Sequence, residues 1–194
     1  MNATLARLAP RPVVLTIAGA ALIVVAALLN RGMGHPWICD CGFVKLWHGV
    51  AHSNQTSQHL TDWYTPSHII HGLVFYFGLW LIARRWSIYL RGVIAVVLEV
   101  SWEVIENTPW IINRYRTVTV SLDYFGDSVI NSTFDALAMV IGFILARALP
   151  VWASVAIVVG LELWTGYFIR DNLSLNIIML LWPVQSILDW QASG

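Results

Sequence analysis

Acidic side chains interrupt the apolar segments of this sequence, and most of them fall on two neighbouring segments. Glu99, Glu103 and Glu106 lie on one segment, Asp135 lies on the next, and Glu162 lies further along. A charged side chain at the centre of a bilayer costs roughly 2.5 to 3.5 kcal/mol, so such residues usually face a protein interior or a wet cavity. The pattern therefore predicts a polar pocket within a membrane.

Helical spacing places the polar residues on three faces. The three glutamates are at positions i, i+4 and i+7, so they share one helix face. A second face carries Asp127, Asn131 and Asp135 at i, i+4 and i+8, and a third carries His68 and His71 at i and i+3. Because three adjacent helices each have a polar stripe, turning the stripes toward one another hides all of them from lipid. Gly72 and Gly142 would permit close helix approach nearby.

Imidazole and carboxylate groups in one place suit two kinds of chemistry. They are ligands for a divalent metal, which makes His68, His71, Glu103 and Asp135 a candidate ligand set. Carboxylates confined in a poorly solvated site cannot all ionise at low cost, which makes Glu103, Glu106, Asp135 and His71 candidate acid/base groups. A third interpretation is that the histidines bond the carboxylates only to hold the helices together. The sequence leaves these three interpretations open.

The composition is that of a membrane protein. Hydrophobic residues make up 58% of the 194 residues, charged residues make up 11%, and the mean hydropathy is +0.67. A soluble domain needs a more polar surface than this. The formal net charge is zero, and no basic patch or phosphate-binding loop is visible, so nucleic-acid binding is not expected.

The apolar runs predict an all-α fold, a polytopic membrane helix bundle of about six transmembrane helices, with residues 1–194 forming a single integral membrane domain. Pro150 alone separates the fourth run from the fifth, which predicts a tight turn there. Pro183 and Gln185 interrupt the sixth run. The predicted spans are Val13–Leu29, Ser67–Ala83, Ser87–Ile105, Ser128–Leu149, Val151–Ile169 and Leu173–Leu188.

The distribution of Lys and Arg predicts that both termini are cytoplasmic, because slightly more of them then fall inside than outside. The inner set would be Arg7, Arg11, Arg84, Arg85, Arg91 and Arg147, and the outer set Arg31, Lys45, Arg114, Arg116 and Arg170. This orientation puts the polar faces in the outer half of the bundle. A cleaved signal peptide is the alternative for the first span, but the following Leu29–Arg31 offers no small-residue cleavage site.

The predicted outer loops carry further polar groups. Residues 30–66 form a long loop that would cap the cavity, and it contains the cysteines Cys39 and Cys41, for which a labile bridge, a soft-metal contact and free or structural thiols are all open. In the loop before the fourth span, Arg114 and Arg116 have guanidinium forks suited to phosphate or carboxylate. With Asn131 they form a candidate substrate-binding set. The alternative is that the arginines meet lipid headgroups.

Four stretches of the sequence carry a family resemblance: Cys39–Gly42, Gln58–His68, Ser101–Asn107 and Gly126–Ser132. They resemble an uncharacterised family of alphaproteobacterial inner-membrane proteins, the UPF0314 type. The resemblance implies a multi-pass protein of a bacterial inner membrane, and it implies no activity. A more distant likeness, in the His-x-x-His-Gly helix and the paired glutamates, is to the VanZ-like and YjdF-like membrane proteins.

Two functional hypotheses follow. The first is a small intramembrane enzyme, metal-dependent or using acid/base groups, that acts on a lipid or lipid-linked anion at the periplasmic leaflet. The second is a non-catalytic transport or assembly factor whose polar cluster is structural or relays protons. Internal duplication, which is common in transporters, is not visible in the sequence.

Overall fold

The computed structural model describes residues 11–193, and eight helices account for most of them. Arg7, which the charge distribution assigns to the cytoplasmic side, lies outside the described residues, as do both ends of the predicted 1–194 domain. The helices are α1 (Pro12–Gly32), α2 (Thr65–Ala83), α3 (Ile88–Glu106), α4 (Pro109–Val118), α5 (Val129–Ala148), α6 (Val151–Ile169), α7 (Leu173–Leu181) and α8 (Gln185–Ala192).

The first five predicted spans correspond to single helices, α1, α2, α3, α5 and α6, with ends within a few residues of those predicted. Their starts have local causes. Ser87 and Ser128 cap α3 and α5 by accepting hydrogen bonds from the N–H groups of Leu90 and Asn131. Only Leu149 and Pro150 separate α5 from α6, so the predicted tight turn is present.

Six membrane spans are not confirmed. Four helices (α1, α2, α5 and α6) are long and apolar enough to cross a membrane. Helix α3 has 19 residues, but Arg91 and three glutamates make it too polar to qualify by composition alone. The sixth apolar run is divided near Pro183 into α7 and α8, and helices of 9 and 8 residues reach only about 14 and 12 Å, against a hydrocarbon core of ~30 Å.

Two segments predicted to be loops contain short regular elements. The segment between α3 and α5 contains a helix, α4, which begins at Pro109 directly after Thr108. Within residues 30–66, two short strands, β1 (Trp47–His48) and β2 (Thr61–Asp62), pair in parallel, with Trp47 opposite Thr61. The two strands have two residues each, which is too short to alter the mostly helical class of the fold.

The core lies among α1, α2, α3 and α5. Helix α1 packs against α3 and α5, and α2 packs along α5. Small and medium side chains fill the space between these helices, with Ala95 and Met139 fully buried. The core residues are Ala26, Leu79, Ala95, Val96, Val100, Ala136, Met139 and Phe143.

Helices α2 and α5 touch backbone to backbone at two glycines. A Cβ atom at Gly72 would lie 2.0 Å from the carbonyl oxygen of Met139, and one at Gly142 would lie 2.1 Å from the carbonyl oxygen of Ile69. No side chain fits at either position unless the helices separate. The close approach predicted for these two glycines is therefore present, and it brings the polar faces of α2 and α5 together.

Helix α6 is apolar on all sides and mostly exposed. Only Thr165 and Ile169 are buried, whereas Leu163 is 68% and Tyr167 is 80% exposed. A helix that is hydrophobic all round is not stable against water. Its surroundings must be lipid or another apolar surface.

The start of α5 holds the long loop in place. The first N–H groups of a helix have no partner within the helix. Here the N–H groups of Ser128, Val129 and Ile130 donate to the carbonyl oxygens of Ser57, Pro36 and Trp37, respectively, all in the loop between α1 and α2. The loop therefore folds over the same end of the bundle at which the polar faces lie.

We predict that Gly72→Ala destabilises the protein by roughly 1–3 kcal/mol or more, because the added methyl group meets backbone atoms that cannot move independently. The measurement is thermal unfolding in one mild detergent.

Gly78→Ala, in the same helix, is the matched control. Nothing lies within 4 Å of a Cβ atom at Gly78, so this change is expected to be neutral or to stabilise the helix by about 0.5–1 kcal/mol. Equal unfolding temperatures for the two variants would contradict the close helix contact.

Candidate functional site

Three helices bring the polar side chains together at one end of the bundle. The first turns of α2 carry His68 and His71, the last turns of α3 carry Glu99 and Glu103, and the first half of α5 carries Asp135. Because α2 and α5 begin at the end of the bundle where α3 ends, these residues lie at the same height along the bundle axis. All of them are buried except His71, which is partly exposed.

Glu99 is the centre of the cluster. Its Oε1 lies 2.6 Å from Nδ1 of His68, and its Oε2 lies 3.0 Å from Nδ1 of His71. The side chain of Glu99 is fully buried. One carboxylate thus holds both imidazole rings across the α2–α3 interface. His71 is also stacked on Phe75, with ring centroids 5.6 Å apart.

Glu103 approaches the same nitrogen of His68 as Glu99 does, and Asp135 lies nearest to the other ring nitrogen. Oε1 of Glu103 is 3.3 Å from Nδ1 of His68, and Oδ2 of Asp135 is 3.9 Å from Nε2 of the same ring. The hydroxyl group of Thr65 donates to Oδ1 of Asp135 at 2.9 Å. Within residues 11–193 neither carboxyl oxygen of Glu103 has a hydrogen-bond partner, although the residue is only 1% exposed.

A cavity of about 270 Å³ opens beside this cluster. His68 and Asp135 form part of its wall, and much of the remainder comes from the loop between α1 and α2 and from the segment after α4. Its lining residues are Ala51, His52, Ser53, Thr56, Ser57, Tyr64, His68, Glu106, Tyr115, Val120, Ser121, Leu122, Asp123, Tyr124, Asp127, Asp135 and Asn176.

Tyrosine hydroxyl groups hold two of the acids on the cavity wall. The hydroxyl oxygen of Tyr115 lies 2.8 Å from Oε1 of Glu106 and 3.0 Å from Oδ1 of Asn176. Tyr124 donates to Oδ1 of Asp127 at 3.0 Å. Burial raises the pKa of both tyrosines, so their hydroxyl groups keep their protons and remain donors.

Asp127 is fixed from a second side as well. Nδ2 of Asn107 donates to its Oδ2 at 2.7 Å, and its own N–H donates to Oδ1 of Asn107 at 2.6 Å. Burial raises the pKa of Asp127, and the hydrogen bonds from Asn107 and Tyr124 oppose that shift. The carboxyl group therefore has a fixed position at the start of α5.

The cavity wall is acidic. Four carboxyl groups line it, and among the described residues no Lys or Arg does. His52 and His68 are the lining residues able to carry positive charge there. In this environment a cation is favoured, and an anion is disfavoured unless a cation accompanies it.

The three residues predicted to bind a substrate do not line this cavity. Nε of Arg114 donates to the carbonyl oxygen of Leu180 at 3.0 Å. Nε of Arg116 donates to the carbonyl oxygen of Leu122 at 3.2 Å, and its guanidinium group lies over the ring of Phe125. Asn131 is buried, and its Nδ2 donates to the backbone of His59 at 2.9 Å, which ties the long loop to α5.

Glu162 lies apart from the cluster and has a local role. Its two carboxylate oxygens accept the N–H groups of Leu173 and Ser174, at 3.0 and 3.2 Å, and so cap the start of α7. In the long loop, Cys39 and Cys41 form a disulfide. Neither feature contributes to the cavity wall.

Sequence reasoning placed Glu99 on the polar stripe of α3 but left it out of the candidate site residues. The i, i+4, i+7 spacing was the available signal. The lining residues Tyr64, Tyr115 and Tyr124 were also missed, because their partners belong to segments distant in sequence and no local pattern marks them.

The fold and the site define a class of protein: a helical bundle with four helices able to span a membrane and a buried His/carboxylate cluster beside a cavity. Residues 30–193 match the family model described as "Protein of unknown function (DUF2585)".

The chain belongs to this family, and its relatives are alphaproteobacterial proteins named UPF0314. The one from Paracoccus denitrificans is 59% identical, covering 89% of each chain. That from Rhizobium meliloti is 54% identical, covering 88% of this chain and 87% of the relative. That from Sinorhizobium fredii is 53% identical, covering 91% and 89%. No solved structure matches the chain.

Asp171 gives a pH-dependent prediction for the cavity surroundings. It is 2% exposed and lies 3.5 Å from the hydroxyl group of Tyr64. Burial raises its pKa to about 6, from 3.8 in an unfolded chain, although the N–H of Asn172 acts in the opposite direction.

Because the folded protein then binds this proton more tightly than the unfolded chain, the stability contributed at Asp171 is greatest below pH 4 and is lost as the pH rises through about 6. We predict that Asp171→Asn removes this contribution to the pH dependence of the free energy of unfolding, which amounts to at most about 3 kcal/mol between pH 4 and 7. Unfolding temperatures of both proteins over that range test it, with Asp40→Asn in the exposed loop as control. Parallel curves for the parent and Asp171→Asn would contradict it.

Proposed function

We propose that this protein is a multi-pass protein of the bacterial inner membrane, with both termini in the cytoplasm and the cavity open to the periplasmic leaflet. The exposed apolar surfaces of α1 and α6 support the membrane location. The disulfide between Cys39 and Cys41 supports a periplasmic position for the long loop, because disulfides persist in oxidising compartments. The loop of residues 30–66 then caps the cavity from outside.

The protein is proposed to be a small enzyme acting on a lipid or lipid-linked anion. One observation carries this proposal: His68 and Asp135 line a cavity at the end of the bundle, and Glu106 and Asp127 line it with them. Among these groups, a carboxylate accepts the proton that an attacking hydroxyl group or water loses, and a protonated neighbour gives one to the leaving oxygen. The candidate acid/base groups are Glu103, Glu106, Asp135 and His71, of which Glu106 and Asp135 line the cavity.

A lipid-type substrate is supported by the rim. Leu122 lines the cavity and is 64% exposed, and the adjacent Phe125 is 56% exposed. Arg116 lies over Phe125 and bonds the backbone of Leu122. Apolar side chains beside a guanidinium group suit a molecule with an acyl or prenyl tail and an anionic headgroup.

A non-catalytic role in transport or assembly is the second candidate, and a specific observation favours it. Glu99 uses both oxygens on His68 and His71, so this part of the cluster joins α2 to α3 without needing a ligand. In that case the cluster is a structural contact or a path for protons.

We predict that Glu106→Gln lowers activity by 10²- to 10⁴-fold, because the amide cannot exchange a proton as the carboxyl group does. The measurement is mass spectrometry of total lipids from a deletion strain and from the same strain carrying the parent gene or the variant. The expected result is that the parent gene restores the normal lipid profile, whereas the strain with the variant keeps the lipid profile of the deletion strain.

Glu162→Gln is the matched control, because it makes the same change outside the cavity, and it should restore the profile. Membrane levels of each variant are compared by immunoblot. Normal lipids in strains carrying Glu106→Gln and in strains carrying Asp135→Asn would contradict the enzyme proposal. If the lipid profile is abnormal only in strains whose variant is depleted from the membrane, the non-catalytic role would be favoured.

A further inference from the structure

The tautomer of His68 follows from its contact with Glu99. An ionised carboxylate accepts hydrogen bonds and cannot donate them, so Nδ1 of His68 donates at 2.6 Å and Nδ1 of His71 donates at 3.0 Å. A neutral His68 then has the lone pair on Nε2. Nδ1 atoms that donate to Glu99 are not metal ligands, so the compact group of His68, His71 and Glu99 is not itself the coordination shell.

Nε2 of His68 points toward a second carboxylate. It lies 3.9 Å from Oδ2 of Asp135, which is too far for a hydrogen bond. A metal ion with bonds of about 2.0–2.2 Å to nitrogen and oxygen separates two ligand atoms by about 3.3 Å at a tetrahedral angle and about 4 Å at wider angles. The observed gap therefore has room for one ion.

The carboxyl group of Asp135 is oriented as a metal ligand would be. Thr65 fixes its Oδ1 at 2.9 Å and leaves Oδ2 on the side of His68. Glu106 lines the same cavity, and within residues 11–193 only its Oε1 is hydrogen-bonded, to Tyr115. Its Oε2 has no hydrogen bond to a described residue, which leaves this oxygen free to bind another group in the cavity.

The charges around His68 give an independent reason for a cation. Glu103 is 1% exposed, has no hydrogen-bond partner for either oxygen among the described residues, and lies 3.3 Å from Nδ1 of His68. Since no Lys or Arg of the described chain lines the cavity, a bound cation would compensate these acids.

We propose that a divalent transition-metal ion binds between Nε2 of His68 and the carboxylate of Asp135, with Glu106 as a further ligand and Glu99 as the residue that orients His68. Imidazole combined with carboxylates suits zinc or manganese. Glu99 corresponds to the carboxylate that commonly accepts the second N–H of a metal-bound histidine. His71 contacts Glu99, does not line the cavity, and is not a ligand.

This inference rests on the proposed function and deepens it. An acidic cavity repels the headgroup of an anionic lipid, whereas a metal ion on its wall would bind that headgroup. The site would thus supply the positive charge that Arg114 and Arg116 do not bring into the cavity.

The test is zinc binding to the full-length protein in mild detergent, after treatment with a chelator, by competition with a fluorescent zinc indicator. One zinc ion per chain is expected for the parent. Asp135→Asn and His68→Gln should each weaken binding at least 100-fold, whereas Glu99→Gln should weaken it 10- to 100-fold and keep one ion per chain. His71→Gln and the control Glu162→Gln should bind as the parent does.

X-ray absorption at the zinc edge separates ligands from orienting residues. One imidazole with oxygen ligands supports the proposal, and two imidazoles would overturn it. Parent protein that binds neither zinc nor manganese would also overturn it, as would unchanged binding in a monodisperse Asp135→Asn variant. Because no lipid is present in this measurement, metal binding with a normal lipid profile in the deletion strain would reject the proposed function alone.

Discussion

The structure depends on the burial of carboxylates inside an apolar helix bundle. Glu99 has no exposed surface, and it is stable there because two imidazole N–H groups reach it from α2. A buried charge without such partners costs several kcal/mol, so α2 and α3 can pack in few other registers. The glycine contact between α2 and α5 adds the third wall, because Gly72 and Gly142 let α5 approach closely enough for Asp135 to face His68.

The long loop between α1 and α2 completes the site through backbone chemistry. The free N–H groups at the start of α5 need acceptors, and carbonyl oxygens of this loop provide them. One of these acceptors is Ser57, and Ser57 and neighbouring loop residues form part of the cavity wall together with His68 of α2. The cavity therefore exists because loop carbonyl oxygens accept the free N–H groups at the start of α5. Its shape depends on the loop as much as on the helices.

The sequence allowed prediction of those features that rest on periodicity. Five long apolar runs became five helices, and polar residues at helical spacing became facing stripes, since hiding charge leaves few alternatives. Contacts between distant segments were beyond such reasoning. Nothing local links Tyr115 to Glu106 or Arg114 to the carbonyl of Leu180. The sixth run, Leu173–Leu188, is interrupted by Pro183 and Gln185 already in the sequence, and the structure divides it there into α7 and α8.

The position of the arginines changes the chemistry that the site can perform. A pocket that bound anions through Arg114 and Arg116 would need their guanidinium groups at its wall, but Nε of each donates to a backbone carbonyl group, and neither side chain lines the cavity. The wall instead carries Glu106, Asp127 and Asp135. Proton transfer among such groups needs no further charge, whereas binding an anionic headgroup does. An acidic cavity beside an apolar rim therefore suits a lipid with an anionic headgroup only if a cation is part of the site.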